Sequence, residues 1–180
     1  MIRYRINYEN DLGLLEMESN DPAKELRQKA IEQSDQGDYT GALASLNEAI
    51  QLNPNSTDAY FIRGLIQFEL NQYEEAIASC NETLRLKSDY LSGYFFRGFV
   101  QCNCLGQYAE AIASFNQAIS LKPDYDTAYY WRGVSQFNIG QYEEAIASYT
   151  QAIRLTPHEQ EPYVKREQAQ QELDKFRLSS

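Results

Sequence analysis

One eight-residue stretch recurs along this chain and constrains its architecture more than any other feature. Residues 72–79 (QYEEAIAS) return letter for letter at 141–148, with a near-copy at 107–114 and a looser copy at 38–45. The alanine shared by the copies repeats after 34, 35 and 34 residues, at Ala42, Ala76, Ala111 and Ala145. A fixed period in this range is typical of helical repeats that stack and bury each other's apolar faces.

Each period predicts two helices joined by a tight turn. Gly37, Gly106 and Gly140 interrupt three of the pairs, and Asn71 takes that place in the second pair. The third period is one residue longer, and we expect the extra residue in the turn within 101–107, because turns absorb insertions most easily. The predicted helix pairs are 23–36 with 39–52, 57–70 with 73–86, 91–105 with 108–121, and 126–139 with 142–155.

The two ends of the chain depart from the period. Residues 1–20 form a non-repeat arm whose Ile2, Tyr4, Ile6 and Tyr8 alternate with polar residues, the pattern of an extended segment with one apolar face. The other end starts like a fifth repeat and then becomes polar, which predicts a capping helix. We therefore predict a repeat domain at 21–177, with repeats at about 23–56, 57–90, 91–125 and 126–159, a capping helix at about 160–177 and a frayed tail at 178–180.

Several recurring positions resemble those of the tetratricopeptide repeat family. The first helices carry an aromatic residue at Tyr60, Tyr94 and Tyr129, with Leu26 in the first repeat, and a small residue at Ala30, Gly64, Gly98 and Gly133. The second helices carry the alanines named above, then Leu46, Cys80, Phe115 and Tyr149, then Ala49, Thr83, Ala118 and Ala152. The match covers about residues 23–175. It implies an all-α fold: a right-handed α-solenoid of four helix-turn-helix repeats plus a C-terminal capping helix.

Two recurring positions differ from the family pattern. Arginine stands before the glycine, where the family usually has leucine, and glutamine stands where the family has tyrosine. These residues are Arg63, Arg97 and Arg132, and Gln67, Gln101 and Gln136. Because both changes recur together, we expect each arginine stem to pack between helices with its head hydrogen-bonded there, rather than to bind a ligand.

The resemblance implies that the first helices line a concave groove that holds a peptide. Groove-facing positions recur every three to four residues, and in three repeats they are large and apolar, which normally marks a binding surface. We favour the groove for Phe61, Phe95 and Tyr130, and the core for Phe68 and Phe137. The predicted groove residues are Arg27, Phe61, Ile62, Leu65, Phe95, Phe96, Phe99, Tyr130, Trp131 and Val134. The Lys, Arg and Asn clamp of chaperone-binding members is absent.

Composition argues against several other functions. The formal charge of −10 disfavours nucleic acid as the main partner, because phosphate binding requires a positive surface. Three cysteines and the single His158 give no metal-ligand pattern, so we expect no metal and no cofactor. The recurring serines have no histidine to activate them, so we do not expect an enzyme. With no signal peptide and no apolar run of about 20 residues, we expect a cytoplasmic protein.

Three hypotheses follow for the function. The leading one is a protein–protein interaction module, a scaffold or adaptor, that binds an apolar peptide or amphipathic helix in the concave groove. The second is a self-assembling structural protein whose arm at 1–20 occupies its own or a neighbouring groove, which would allow a homodimer. The third is an assembly factor for a larger complex, a role often filled by bacterial proteins with this style of repeat.

Overall fold

A computed structural model describes residues 21–179 and shows nine helices in that part of the chain. The arm predicted at 1–20 and the last residue lie outside the described range. The helices are α1 (Pro22–Asp35), α2 (Tyr39–Leu52), α3 (Thr57–Glu69), α4 (Tyr73–Leu86), α5 (Leu91–Asn103), α6 (Tyr108–Leu121), α7 (Asp126–Asn138), α8 (Tyr142–Leu155) and α9 (Glu161–Ser179). The helix pairs agree closely with the sequence prediction.

Local sequence signals set the helix starts. Asp21 accepts a hydrogen bond from the backbone N–H of Ala23 at 3.0 Å, and Pro22 occupies the first turn of α1. Asp38 caps α2 in the same way through the backbone N–H of Gly41 at 2.9 Å. Such caps satisfy backbone donors that the helix itself leaves unpaired.

The turns within the pairs share one left-handed residue. Gly37, Gly106 and Gly140 have φ between +65° and +79°, and Asn71 has φ of 59°. Asparagine tolerates this conformation better than most side chains, which explains why it can replace glycine in the second pair. The extra residue of the third period lengthens its turn, because α5 keeps the same 13 residues as α3 and α7.

Consecutive helices pack antiparallel, and the stack bends toward the first helices of the pairs. Inner helix α5 contacts α7 directly, and α7 contacts α9. Within the described residues, no second helix makes contact of similar extent with another second helix. The first helices therefore lie on the inner side of the bend, and the predicted all-α solenoid of helix pairs is confirmed. Where one repeat ends and the next begins stays a prediction.

Helix α9 closes the stack. Its buried Ala169 packs in one cluster with Ala145, Tyr149 and Ala152, so it covers the apolar face that α8 would otherwise expose. The helix continues to Ser179, beyond the predicted end of the capping helix at 177, and fraying of the last residues stays a prediction. None of the helices between residues 21 and 179 has the length and apolar character needed to cross a membrane.

Candidate protein-interaction face

The inner helices carry a row of three half-buried aromatic side chains, one from each of α3, α5 and α7. The ring centroids of Phe68 and Phe99 lie 6.0 Å apart, and those of Phe99 and Trp131 lie 5.1 Å apart. All three side chains keep part of their surface exposed. We call Phe68, Phe99 and Trp131 the aromatic row, because their rings form a partly exposed apolar contact that crosses three helix pairs.

Five of the predicted groove residues are core residues instead. Phe61 is only 5% exposed, because the ring of Tyr90 lies 5.1 Å away and that of Phe96 lies 6.1 Å away. Tyr130 is 7% exposed and packs against Tyr149. Residues outside each first helix thus cover positions that the helical period of that helix alone would leave open. The five buried residues are Phe61, Ile62, Leu65, Phe96 and Tyr130.

The other five predicted residues are half-buried. Phe99 and Trp131 belong to the aromatic row, and Val134 lies one turn after Trp131 on α7. Phe95 packs away from the row, with its ring 5.1 Å from Tyr125 and 5.9 Å from Phe115. A role for any of these residues in binding stays a prediction.

Arg27 is committed to a contact between the first two repeats. Its Nη1 donates to the Asp58 carboxylate at 3.0 Å and lies 3.4 Å from the Ser56 hydroxyl oxygen. The guanidinium group therefore joins α1 to the start of α3, and its charge is compensated within the described part of the chain.

The sequence placed Phe68 in the core, and its ring does pack against the buried cluster that includes Phe61 and Phe96, although part of its surface stays exposed. Phe68 is half-buried and contacts Tyr73, Phe96 and Phe99, so it belongs at one end of the aromatic row. Phe137 is likewise half-buried, against Tyr142. The helical period could have indicated Phe68, which follows Phe61 by two turns. Which of the two is covered depends on the next repeat.

Arginines that replace the family's leucine form a repeated hydrogen-bond network. Arg63 Nε donates to Ser79 Oγ at 3.0 Å and Arg63 Nη1 donates to Asn47 Oδ1 at 3.3 Å, so one side chain joins α2, α3 and α4. Ser79 Oγ in turn donates to Gln67 Oε1 at 2.6 Å, and the guanidinium lies 5.0 Å from the centre of the Tyr60 ring. The expected packing of the arginine between helices is confirmed.

The same network recurs in the next two repeats, and we call the three copies the polar ladder. Arg97 donates to Ser114 and Asn81, and Arg132 donates to Ser148 and Asn116. The two serines donate in turn to Gln101 and Gln136, and all six donor–acceptor distances lie between 2.7 and 3.0 Å. Burial lowers the pKa of Arg63 and of Arg132 from the ordinary value. The arginines therefore serve contacts between repeats and turn away from the aromatic row.

The three cysteines form no disulfide bond, and their thiols are poorly suited to act as nucleophiles. Burial raises the pKa of the Cys80 thiol to about 12, although the charge of Arg97 opposes that change. Burial also raises the pKa of Cys102, partly offset by a hydrogen bond with Ser135, and that of Cys104. Because the thiolate is the reactive form, all three cysteines are weak nucleophiles near neutral pH. Residues 21–179 contain no group of three or more metal-ligating side chains arranged around a common point.

Comparison with known proteins assigns this architecture to a class of repeat proteins. Family models described as tetratricopeptide repeat match residues 27–90 and 127–159, and one described as TPR repeat matches residues 104–140. Together they match more than half of the chain. The chain belongs to the tetratricopeptide repeat family, whose members are generally non-enzymatic interaction scaffolds. A search of curated protein sequences found no match.

Solved structures with a similar fold include three named proteins. MamA is 25% identical with a TM-score of 0.72, over 75% of this chain and 78% of MamA. YrrB, described as a TPR protein with an unusual peptide-binding site, is 20% identical with a TM-score of 0.74, over 83% of this chain and 76% of YrrB. PilW, a type IV pilus biogenesis factor, is 26% identical with a TM-score of 0.66, over 77% of this chain and 64% of PilW.

Proposed function

We propose that this protein is an interaction module that holds an apolar peptide or an amphipathic helix against the aromatic row. The observation that carries the proposal is the unbroken contact of Phe68, Phe99 and Trp131 across three repeats, with each ring still partly exposed. Apolar surface that is continuous and partly exposed normally marks a place where another molecule binds. A protein of the same fold, YrrB, is described as having a peptide-binding site, which supports the proposal.

Covering the row supplies only part of the binding energy that a complex needs. The exposed parts of three rings and the ligand surface on them bury about 300 Å² together, which is worth about 7 kcal/mol gross at about 25 cal/mol/Å². Association costs about 4–15 kcal/mol in lost freedom. The row alone therefore gives weak binding, and a partner must add contacts along the rest of the inner face.

Trp131 is the only tryptophan in the sequence and gives a direct test. We expect an amphipathic helical peptide that lacks tryptophan to shift the fluorescence emission of Trp131 to shorter wavelength as it covers the ring. Phe99→Ala should weaken this binding by about tenfold, because it removes the central ring of the row. Thermal unfolding of the variant checks that the helices remain folded at the temperature of the titration.

A matched control is Phe176→Ala on α9, since Phe176 is 62% exposed and lies outside the row. This variant should bind the peptide as the unchanged protein does. Equal losses in Phe99→Ala and Phe176→Ala would show that the peptide adheres to exposed aromatic rings in general. That result would reject the aromatic row as the site.

We also consider two alternative proposals. Residues 1–20, which lie outside the described range, could occupy the groove of their own chain or of a second copy, since Ile2, Tyr4, Ile6 and Tyr8 alternate with polar residues. A synthetic peptide of residues 1–20 that competes for the Trp131 signal would favour this alternative. The second alternative is an assembly factor for a larger complex, which the similarity to the pilus biogenesis factor PilW supports.

A further inference from the structure

The three helices that carry the aromatic row have a one-sided charge distribution. Arg63, Arg97 and Arg132 are the only basic residues of α3, α5 and α7. Their guanidinium groups donate to side chains of the second helices, as the polar ladder shows. Basic side chains of these helices therefore do not line the row.

Two carboxylates near the row form no ion pair with any residue between 21 and 179. Glu69 directly follows Phe68 at the end of α3, is exposed and forms no ion pair with any residue of the described range. At the other end of the row, Glu161 Oε1 accepts a hydrogen bond from the Tyr130 hydroxyl at 2.6 Å. The ring of Tyr130 lies 5.4 Å from that of Trp131, so this carboxylate is close to the end of the row.

The carboxylate of Asp58, at the start of α3, shows the contrast. Asp58 is paired with Arg27 at 3.0 Å, so its charge is compensated by the first repeat. Glu69 and Glu161 have no such partner in residues 21–179, and the overall charge of −10 adds a negative field around them. A cationic side chain can also lie favourably over an exposed aromatic face.

We propose that the partner of this face is a segment that combines apolar side chains with lysine or arginine. Its apolar side chains cover the aromatic row, and its cations lie next to Glu69 and Glu161. This inference rests on the proposed function and names the class of partner for the same surface. Charge complementarity of this kind selects the partner and speeds association more than it strengthens the complex.

The test compares two synthetic helical peptides of equal length, one of leucine and lysine and the other of leucine and glutamate. Each is titrated into the full chain, and Trp131 emission reports coverage of the row. We expect the lysine peptide to bind at least about tenfold more tightly than the glutamate peptide at low salt, and the difference to shrink as salt rises.

Charge variants separate local attraction from the field of the whole protein. The double change Glu69→Gln with Glu161→Gln should weaken binding of the lysine peptide by roughly threefold to tenfold, the range of two exposed ion pairs. The matched control, Glu74→Gln with Glu75→Gln on α4, changes the net charge equally at exposed positions of a second helix and should leave the affinity unchanged.

The outcomes distinguish this inference from the proposed function. If both peptides bind equally, or the glutamate peptide binds better, the inference is wrong while the interaction face stands. Equal losses in the two double variants would also reject it, because only overall charge would then matter. If neither peptide changes Trp131 emission, the proposed function itself fails.

Discussion

The polar ladder and the aromatic row lie on the same three helices and differ in how closely they follow the repeat. The ladder uses the position just before the glycine in every case, at Arg63, Arg97 and Arg132. The row uses a different position on each helix. Phe68 comes four residues after the glycine, Phe99 one residue after and Trp131 two residues before.

This difference separates the contacts that build the stack from the surface that we propose faces a partner. A contact between neighbouring repeats must recur if the repeats are to stack in the same way each time. A surface that meets one partner has no such requirement, because each ring contacts a different part of that partner. We therefore expect changes in the ladder to alter folding stability, and changes in the row to alter binding.

The largest effect should come from removing one arginine of the ladder. Arg132→Ala removes hydrogen bonds to Ser148 and Asn116 and the contact with the Tyr129 ring. We expect the free energy of unfolding, measured by urea denaturation, to fall by about 2–3 kcal/mol. Binding to the aromatic row should persist under conditions where the variant is folded. Arg154→Ala, at an exposed position of α8, is the control and should change stability by less than about 0.5 kcal/mol.

A somewhat smaller effect is expected where the paired helices approach most closely. A Cβ atom at Gly133 would lie 2.8 Å from the Tyr149 ring, so Gly133→Ala forces that ring to shift. Overpacking costs about 1–3 kcal/mol, while alanine in a helix gains up to about 1 kcal/mol over glycine, so we expect a net loss of up to about 2 kcal/mol. A stabilised variant in calorimetry would show that the ring moves freely and that this glycine is not required.

The effect that is smallest near neutral pH concerns the interior of the second pair, because it appears only in alkaline solution. Burial raises the pKa of Cys80 to about 12 from an ordinary value near 9, so the unfolded chain loses this proton first. The contribution of the Cys80 thiol to the free energy of unfolding is fully present below about pH 9. Above that pH it falls by at most about 1.4 kcal/mol per pH unit until the folded pKa is reached.

Urea denaturation at several pH values between about 9 and 11 checks this slope. Cys80→Ala should flatten it, whatever the variant does to stability at neutral pH. An unchanged slope would mean that other groups, such as the buried Tyr149, whose pKa burial also raises, account for the whole dependence.

Much of the architecture was predictable because the same residues recur every 34 or 35 positions along the chain. The repeated letters fix the helix pairs, the left-handed turns at Gly37, Gly106 and Gly140, and the insertion in the third turn. The arginine and glutamine that change together also predicted a contact between helices, and the ladder is that contact. These features depend on local spacing and on the recurrence of the same residues, and both can be read from a linear sequence.

The candidate face was only partly predictable. Ten residues were expected to line the groove, and five of them are core residues. Phe61 and Phe68 lie on the same helix two turns apart, and their surroundings differ because of the next repeat. Tyr90 precedes α5 and covers Phe61, whereas Phe68 meets Phe99 and stays partly exposed.

The sequence by itself determined that this protein is a stack of helix pairs, since a fixed period of apolar and small residues can be satisfied only by neighbours that repeat the same contacts. Only the tertiary structure decided which aromatic side chains stay partly exposed. The exposure of a side chain depends on the residues that the next repeat places over it, and the amphipathic pattern of a single helix contains no information about them.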